Sequence, residues 1–355
     1  MELQKTIFSG YWGKNHCQGI AYDEKNKYVY YSFTTKLVKT DTSGKVIGTV
    51  ENITGHLGCI SFDKKDGKVY ASLEYKNDAI GKGILASLGI TGENADDAFY
   101  IAIFDVEKID RVGLDAEKDG IMRAIYLKTV VDDYKGQVTV NGKTADHVHG
   151  CSGIDGLAIG PDFGGSDNNY LHVCYGVYND VNRDDNDYQV VLQYDHSSWW
   201  NEAKPLNQRA MHRVGPAQPR NKYFFFTGNT NWGVQNFEYD AYTNAYFAFV
   251  YTGYKPQYPN YSTFVVDASV SAKESQLTGY DDGTIGKVLT LKKVGVEKSG
   301  VNGIFFDGST GAYSFGDGKF YISKHGYDEQ KGGNYTTVTL YELNNSKDVW
   351  EFIEK

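Results

Sequence analysis

The sequence predicts an all-β protein, and three observations carry that expectation. Aromatic residues make up 15% of the chain, led by 29 Tyr and 18 Phe, which favour pleated, half-buried surfaces. Glycines number 40 against 6 prolines, which supplies tight turns without breaking strands. The third observation is a repeat. Segments beginning at His16, His56, Gly153, Gly233 and Gly300 share an apolar run that ends in a turn residue, Asp23, Asp63, Gly160, Asp240 and Asp307 respectively.

Each repeated segment is followed by a second strand-like run, at 27–33, 68–74, 170–178, 245–251 and 319–324. Third strands are expected at 36–40, 99–104, 188–194, 263–266 and 337–343, and fourth strands at 46–50, 125–131, 223–227, 288–291 and 350–353. Four strands repeated five times is the pattern of β-propeller blades, so the expected architecture is a propeller of five four-stranded blades. The repeat has no fixed period. Long insertions at 75–98, 132–148, 195–221 and 267–286 fall between strands, and such insertions normally decorate one face of a repeat protein. Residues 5–9 are expected to pair with the last blade, so that no sheet edge stays open.

The chain of 355 residues exceeds the usual domain size of about 100–200, but closed β architectures run longer as one unit. No Pro-rich, Ser-rich or like-charge stretch marks a linker, so residues 1–355 are expected to form a single propeller domain. A net charge of −9 argues against nucleic acid and against an anionic membrane as partner. No stretch of about 18 apolar residues is present to span a membrane. The N-terminus lacks the basic-then-apolar pattern of a secretory signal, which predicts a cytoplasmic protein, or a secreted or periplasmic one if a leader has been removed. The four cysteines form no CxxC pair and are expected to be free thiols.

In a propeller the first strand of each blade lines the central channel. The position just before the repeated apolar run carries Gln18, Gly58, Asp155, Gln235 and Asn302. Gln18, Asp155, Gln235 and Asn302 are oxygen-bearing, and such a ring suits Ca²⁺ or another divalent cation, or else ordered channel water. No organic cofactor is implied. Two residues earlier stand His16 and His56, at equal height in adjacent blades, with His149 entering the third repeat and His325 following the second strand of the fifth. Neutral imidazole is a common metal ligand and a general base near neutrality. Second strands and the loops after them add Glu74, Tyr175, Tyr178, Tyr251, Tyr254, Lys255 and Lys324. Flat rings beside charged and amide groups match a sugar ring, and the lysines match a carboxylate. The acidic stretch 180–187 lacks the sixth-position Gly of a calcium loop and is expected to be a solvated loop.

The blade pattern resembles the β-propeller superfamily over nearly the whole chain. Five-bladed glycoside hydrolases of the arabinanase type use three carboxylates around the channel, one of them an Asp on the first inner strand. Gln18 stands there in this sequence, a departure where the chemistry lies. The His, Tyr and Lys set is similar in residue type to that of propeller polysaccharide lyases, some of which use a divalent metal. The expected function is therefore a carbohydrate-active enzyme, a lyase or hydrolase, acting on an oligosaccharide that could carry a uronate. His16, His56 and His149 are its expected bases or ligands, Tyr175, Tyr178 and Tyr251 its acids or stacking surfaces, and Glu74, Tyr254, Lys255, Lys324 and His325 its substrate contacts. The alternatives are a non-catalytic propeller that binds a ligand or partner, and a metal-dependent hydrolase of another ester.

Overall fold

A computed structural model describes residues 3–228 and 231–355. Its strands form a five-bladed β-propeller. The innermost strands of successive blades, Gly19–Asp23, His56–Asp63, Cys151–Pro161, Asn231–Asp240 and Ala312–Ser314, contact one another in ring order, and the fifth closes onto the first. The first three blades continue outward as antiparallel meanders: Tyr28–Phe33, Lys36–Asp41 and Val46–Glu51; Lys68–Tyr75, Ala98–Phe104 and Met122–Tyr126; Asn169–Val177, Tyr188–Tyr194 and Asn221–Phe226. Blade four adds Ala245–Tyr251 and Thr263–Asp267, with a bridge from Val266 to Leu291 at its outer edge.

Blade five is built from both ends of the chain. Lys319–Asp328 and Gly333–Asn344 are bordered by two short strands, the C-terminal Glu351–Glu354 and the N-terminal Thr6–Phe8, with Ile7 opposite Val338. The expected pairing of residues 5–9 is thus present, and it removes the open edge that the last blade would otherwise expose.

Two sequence expectations fail, one of them in part. The segment from Gly300 imitates an inner strand, and Asp307 caps the Ser309 amide at 2.9 Å much as Asp63 caps Lys65 at 2.8 Å. Yet Val301–Gly303 pairs with Val296–Lys298, and Ile304 bridges Thr263, so the segment edges blade four. The true inner strand of blade five has only three residues, too few for periodicity to reveal. The fourth-strand assignments hold in part. Val288 lies in Ile285–Val288, which runs parallel to the outer strand of blade three, while Leu291 bridges Val266 at the edge of blade four. Met122–Tyr126 is the fourth strand of blade two, and residues 128–135 form a helix.

The tyrosines explain how so aromatic a chain packs. Their rings fill the spaces between blades, and several of their hydroxyls find partners: Tyr70 with Asp66 at 2.7 Å, Tyr100 with the His212 carbonyl at 2.6 Å. At the axis, where no blade has a core of its own, Asn236 joins four blades. Its amide donates to the carbonyls of Gln18 (3.1 Å) and Ser309 (2.7 Å), and its oxygen accepts from the Cys59 thiol (3.2 Å). Asn236 is 1% exposed, so these bonds close the channel part-way down. All four cysteines are free and buried. No helix among the described residues is long and apolar enough to cross a membrane.

Ile7 is fully buried beneath the seam of blade five. Ile7→Ala is expected to cost about 2–4 kcal/mol in urea unfolding. An unchanged midpoint would show that the seam adds nothing to the stability of the ring.

Candidate functional site

The inner strands of blades two, three and four each carry a register shift at the same height, between Leu57 and Ile60, Ile154 and Leu157, and Val234 and Asn236. A β-bulge re-aims the side chains beside it. Asp155 and Gln235 sit in these irregularities and line a pocket of about 380 Å³ above the Asn236 closure. Gln18, His16, His56, Glu74 and Tyr251 line the same pocket. Its remaining walls come from residues 14–15, Thr34, Lys76, Ser152, Trp232 and a helix at Ala79–Ser87.

The floor is a buried charge arrangement. Glu74, 3% exposed, is the penultimate residue of the second strand of blade two. One carboxylate oxygen lies 2.6 Å from the Lys76 ammonium, and the other accepts the Ile154 amide at 3.1 Å. Lys76, equally buried, also donates to the Ser152 carbonyl at 2.8 Å. Burial works to raise the Glu74 carboxyl, but Lys76 and His56 outweigh it and hold it below the usual carboxylate range. Gly153 makes room for this contact: at φ +128° a β-carbon there would lie 2.0 Å from Glu74 Oε2.

Asp155 is held by its neighbours in another way. Its backbone carbonyl accepts from Ser72 Oγ at 2.8 Å, and its carboxylate accepts only a long 3.3 Å bond from Gln235. β-Carbons at Gly58 and Gly176 would come within 3.3 and 3.1 Å of its oxygens, so two glycines let the walls close on it. Burial, reinforced by the negative charge of Glu74, pushes the Asp155 carboxyl up to about 7 despite the opposing pull of His56 and Lys76. His56 lies between the two acids, with Nδ1 3.5 Å from Glu74 and 3.6 Å from Asp155, hydrogen-bonded to neither. Burial draws the His56 imidazole down, and the two carboxylates more than restore it.

Nearer the mouth, His16 sits 3.1 Å from the Gln18 amide with its ring 5.5 Å from that of His325. Burial and the neighbouring His325 and His56 lower it to about 4, so it is neutral at physiological pH. Trp232 adopts φ +61°, a strained conformation for an aromatic residue, and its carbonyl accepts from Gln235 at 2.9 Å.

Ligand atoms of His56, Glu74 and Asp155 lie within 4.8 Å of one another, close enough for one metal ion. Their environment favours a proton. Both oxygens of Glu74 are already engaged, one of them by the Lys76 cation at 2.6 Å. Calcium would also want six to eight oxygens.

Several sequence-predicted residues lie elsewhere. Asn302 bonds the backbone of Gly295 at the edge of blade four, so the axial ring loses its fifth member. His149 is buried against Phe224 and the Tyr280 hydroxyl, outside the pocket, because its loop folds outward beside blade three. Tyr175 is fully buried and donates to Asp133 at 2.6 Å. Tyr178 donates to Asp78 at 3.0 Å, beside the pocket and not in its lining. Lys255 is fully buried and ion-paired with Asp187, and Arg183 pairs with Asp185, so the expected solvated loop at 180–187 is organised by internal ion pairs. Tyr254 is exposed, and Lys324 projects outward over the Tyr341 ring. His325 touches the pocket only through His16.

The sequence reading missed Lys76, Trp232 and the helix at Ala79–Ser87. Trp232 had a signal, an aromatic residue directly before the repeat glycine Gly233. Lys76 had none beyond its place two residues after Glu74.

No family model matches the chain, and no curated protein does. Among solved structures, the chain is similar to a GH43 β-1,3-galactosidase with galactodeoxynojirimycin, at 12% identity over 98% of both chains and a TM-score of 0.44. It is also similar to an arabinanase of Bacillus subtilis (11% identity, 97% of this chain and 100% of the other, TM-score 0.39). A gluconolactonase of Xanthomonas campestris matches at 12% identity over 93% and 87%, with a TM-score of 0.31.

The Asp155 carboxyl is raised from 3.8 to about 7, so the folded protein binds this proton more tightly than the unfolded chain does. Its contribution to stability is full below about pH 4 and is lost as the pH rises through 7. The Tm of wild type should therefore fall relative to that of Asp155→Asn, whose neutral amide does not titrate, as the pH rises across that window. A pH-independent difference would show that Asp155 titrates as an ordinary carboxyl.

Proposed function

We propose that the pocket is the active site of a carbohydrate-active hydrolase that cleaves the terminal glycosidic bond of an oligosaccharide, with Asp155 as the general acid. The observation that carries this reading is Asp155 itself, a pocket-floor carboxyl raised to about 7 beside a carboxylate pinned in its ionised form by Lys76. A donor that keeps its proton near neutrality can protonate a leaving oxygen.

In this reading Trp232 and Tyr251 offer flat faces to the sugar ring, and the amides of Gln18 and Gln235 meet its hydroxyls. Asp155 gives its proton to the glycosidic oxygen as the bond to the anomeric carbon breaks. A water adds to that carbon and passes a proton to neutral His16. Glu74 stays charged throughout, with His56 between the two acids. The Asn236 closure supports action at a chain end, because a saccharide cannot thread through the ring.

Aryl glycosides and reducing-end assays on oligosaccharides test this. Release of single sugars, without the ultraviolet absorbance of an unsaturated uronate, is the expected result. Asp155→Asn should lower kcat by about 100- to 10,000-fold. Wild-type turnover in that variant overturns the assignment, the absorbance would indicate a lyase, and binding without turnover would indicate a non-catalytic module.

A further inference from the structure

The insertion after blade two places a nine-residue helix, Ala79–Ser87, against the pocket. Ile80, Gly83 and Ile84 stand at i, i+3 and i+4, which puts them on one face, and all three line the cavity. Ile84 is buried at its base and Ile80 is half-buried nearer the rim. Gly83 has nothing within 4 Å of where a β-carbon would stand, so the surface between the isoleucines is open backbone. The two isoleucines bring no polar side-chain atom to the pocket, in contrast with the floor of Asp155, Gln235 and Gln18.

The helix is held tightly to that floor. Asp78 caps it by accepting the Gly81 amide at 2.9 Å, and a β-carbon at Gly81 would lie 1.8 Å from the Lys76 carbonyl. The start of the helix thus packs against the backbone of the residue that pins Glu74.

Resting on the reading of the pocket as a saccharide site, we propose that its terminal ring is a 6-deoxyhexose whose methyl group seats against Ile80 and Ile84. A hydroxymethyl group at that place would set a hydroxyl against two isoleucine side chains that offer it no hydrogen bond, which costs free energy that a methyl does not. Discrimination of this kind in an apolar pocket amounts to about 10- to 100-fold.

Binding to the Asp155→Asn variant, followed by titration calorimetry and saturation-transfer NMR, tests the proposal without requiring turnover. The probes are matched pairs that differ only at the sixth carbon: L-fucose with L-galactose, L-rhamnose with L-mannose, and 6-deoxy-D-glucose with D-glucose. In at least one pair the deoxy sugar should bind about tenfold tighter or better, with the strongest saturation on its methyl protons. Ile80→Ser should erase that preference and Ile80→Val should keep most of it. Equal affinity within every pair, or a preference that survives Ile80→Ser, overturns the proposal. Turnover of hydroxymethyl glycosides with no such preference would sink it while leaving the hydrolase reading intact. Selective binding of a deoxy sugar by a protein that hydrolyses no glycoside would do the reverse.

Discussion

Asn236 solves the problem that a ring of blades creates at its own centre. Five inner strands converge on an axis too narrow for a hydrophobic core and too wide to leave their backbone groups mutually paired. One carboxamide satisfies the carbonyls of Gln18 and Ser309 and the thiol of Cys59, tying blades one, two, four and five together. Each of those groups is buried, where a polar atom without a partner is costly. The same bonds turn an open channel into a closed-bottomed pocket, which is what allows the groups above it to sit away from bulk water.

The electrostatics of the pocket follow from that seclusion. In water, Glu74 and Asp155 would both be ionised near neutrality. With little solvent to share the charge, one ion pair between Glu74 and Lys76 decides the outcome for the neighbours: Glu74 remains an anion, and the Asp155 carboxyl beside it is raised to about 7. His56 between them completes a set in which protonation, not geometry alone, distinguishes two chemically similar acids. Four glycines make this packing feasible. Gly153 admits the Glu74 carboxylate, Gly58 and Gly176 let the strands close on Asp155, and Gly81 brings the helix onto Lys76. Glycines inside β-rich segments thus mark close approaches in this protein as much as turns.

Much of the polar chemistry away from the pocket stabilises loops. Lys255 with Asp187, and Arg183 with Asp185, organise an acidic stretch whose charges would otherwise repel. His149 and Tyr175 bond within the body of blade three and its insertion. A residue type suited to catalysis says little until its partners are known. In this chain the buried partners of Lys255 and Tyr175 remove them from the site, while the unpaired nitrogen of His56 points to it.

The sequence by itself determined the blade architecture, the joining of the chain ends, and the axial position that places Gln18, Asp155 and Gln235 in one pocket. All of these rest on local period-two patterning repeated at intervals, and on a turn-capping Asp such as Asp23 or Asp63 that ends a repeat. Tertiary structure alone decided the rest. Asn302 follows the pattern faithfully yet pairs outside the ring, in a local hairpin with Val296–Lys298, because a strand's partner is set by its packing context and not by its own alternation. Lys76, Trp232 and the apolar helix lie in or beside irregular segments, where no periodicity indicates which way a side chain turns. The proton on Asp155 was equally beyond the sequence, since it depends on burial and on a charge eighty-one positions away at Glu74.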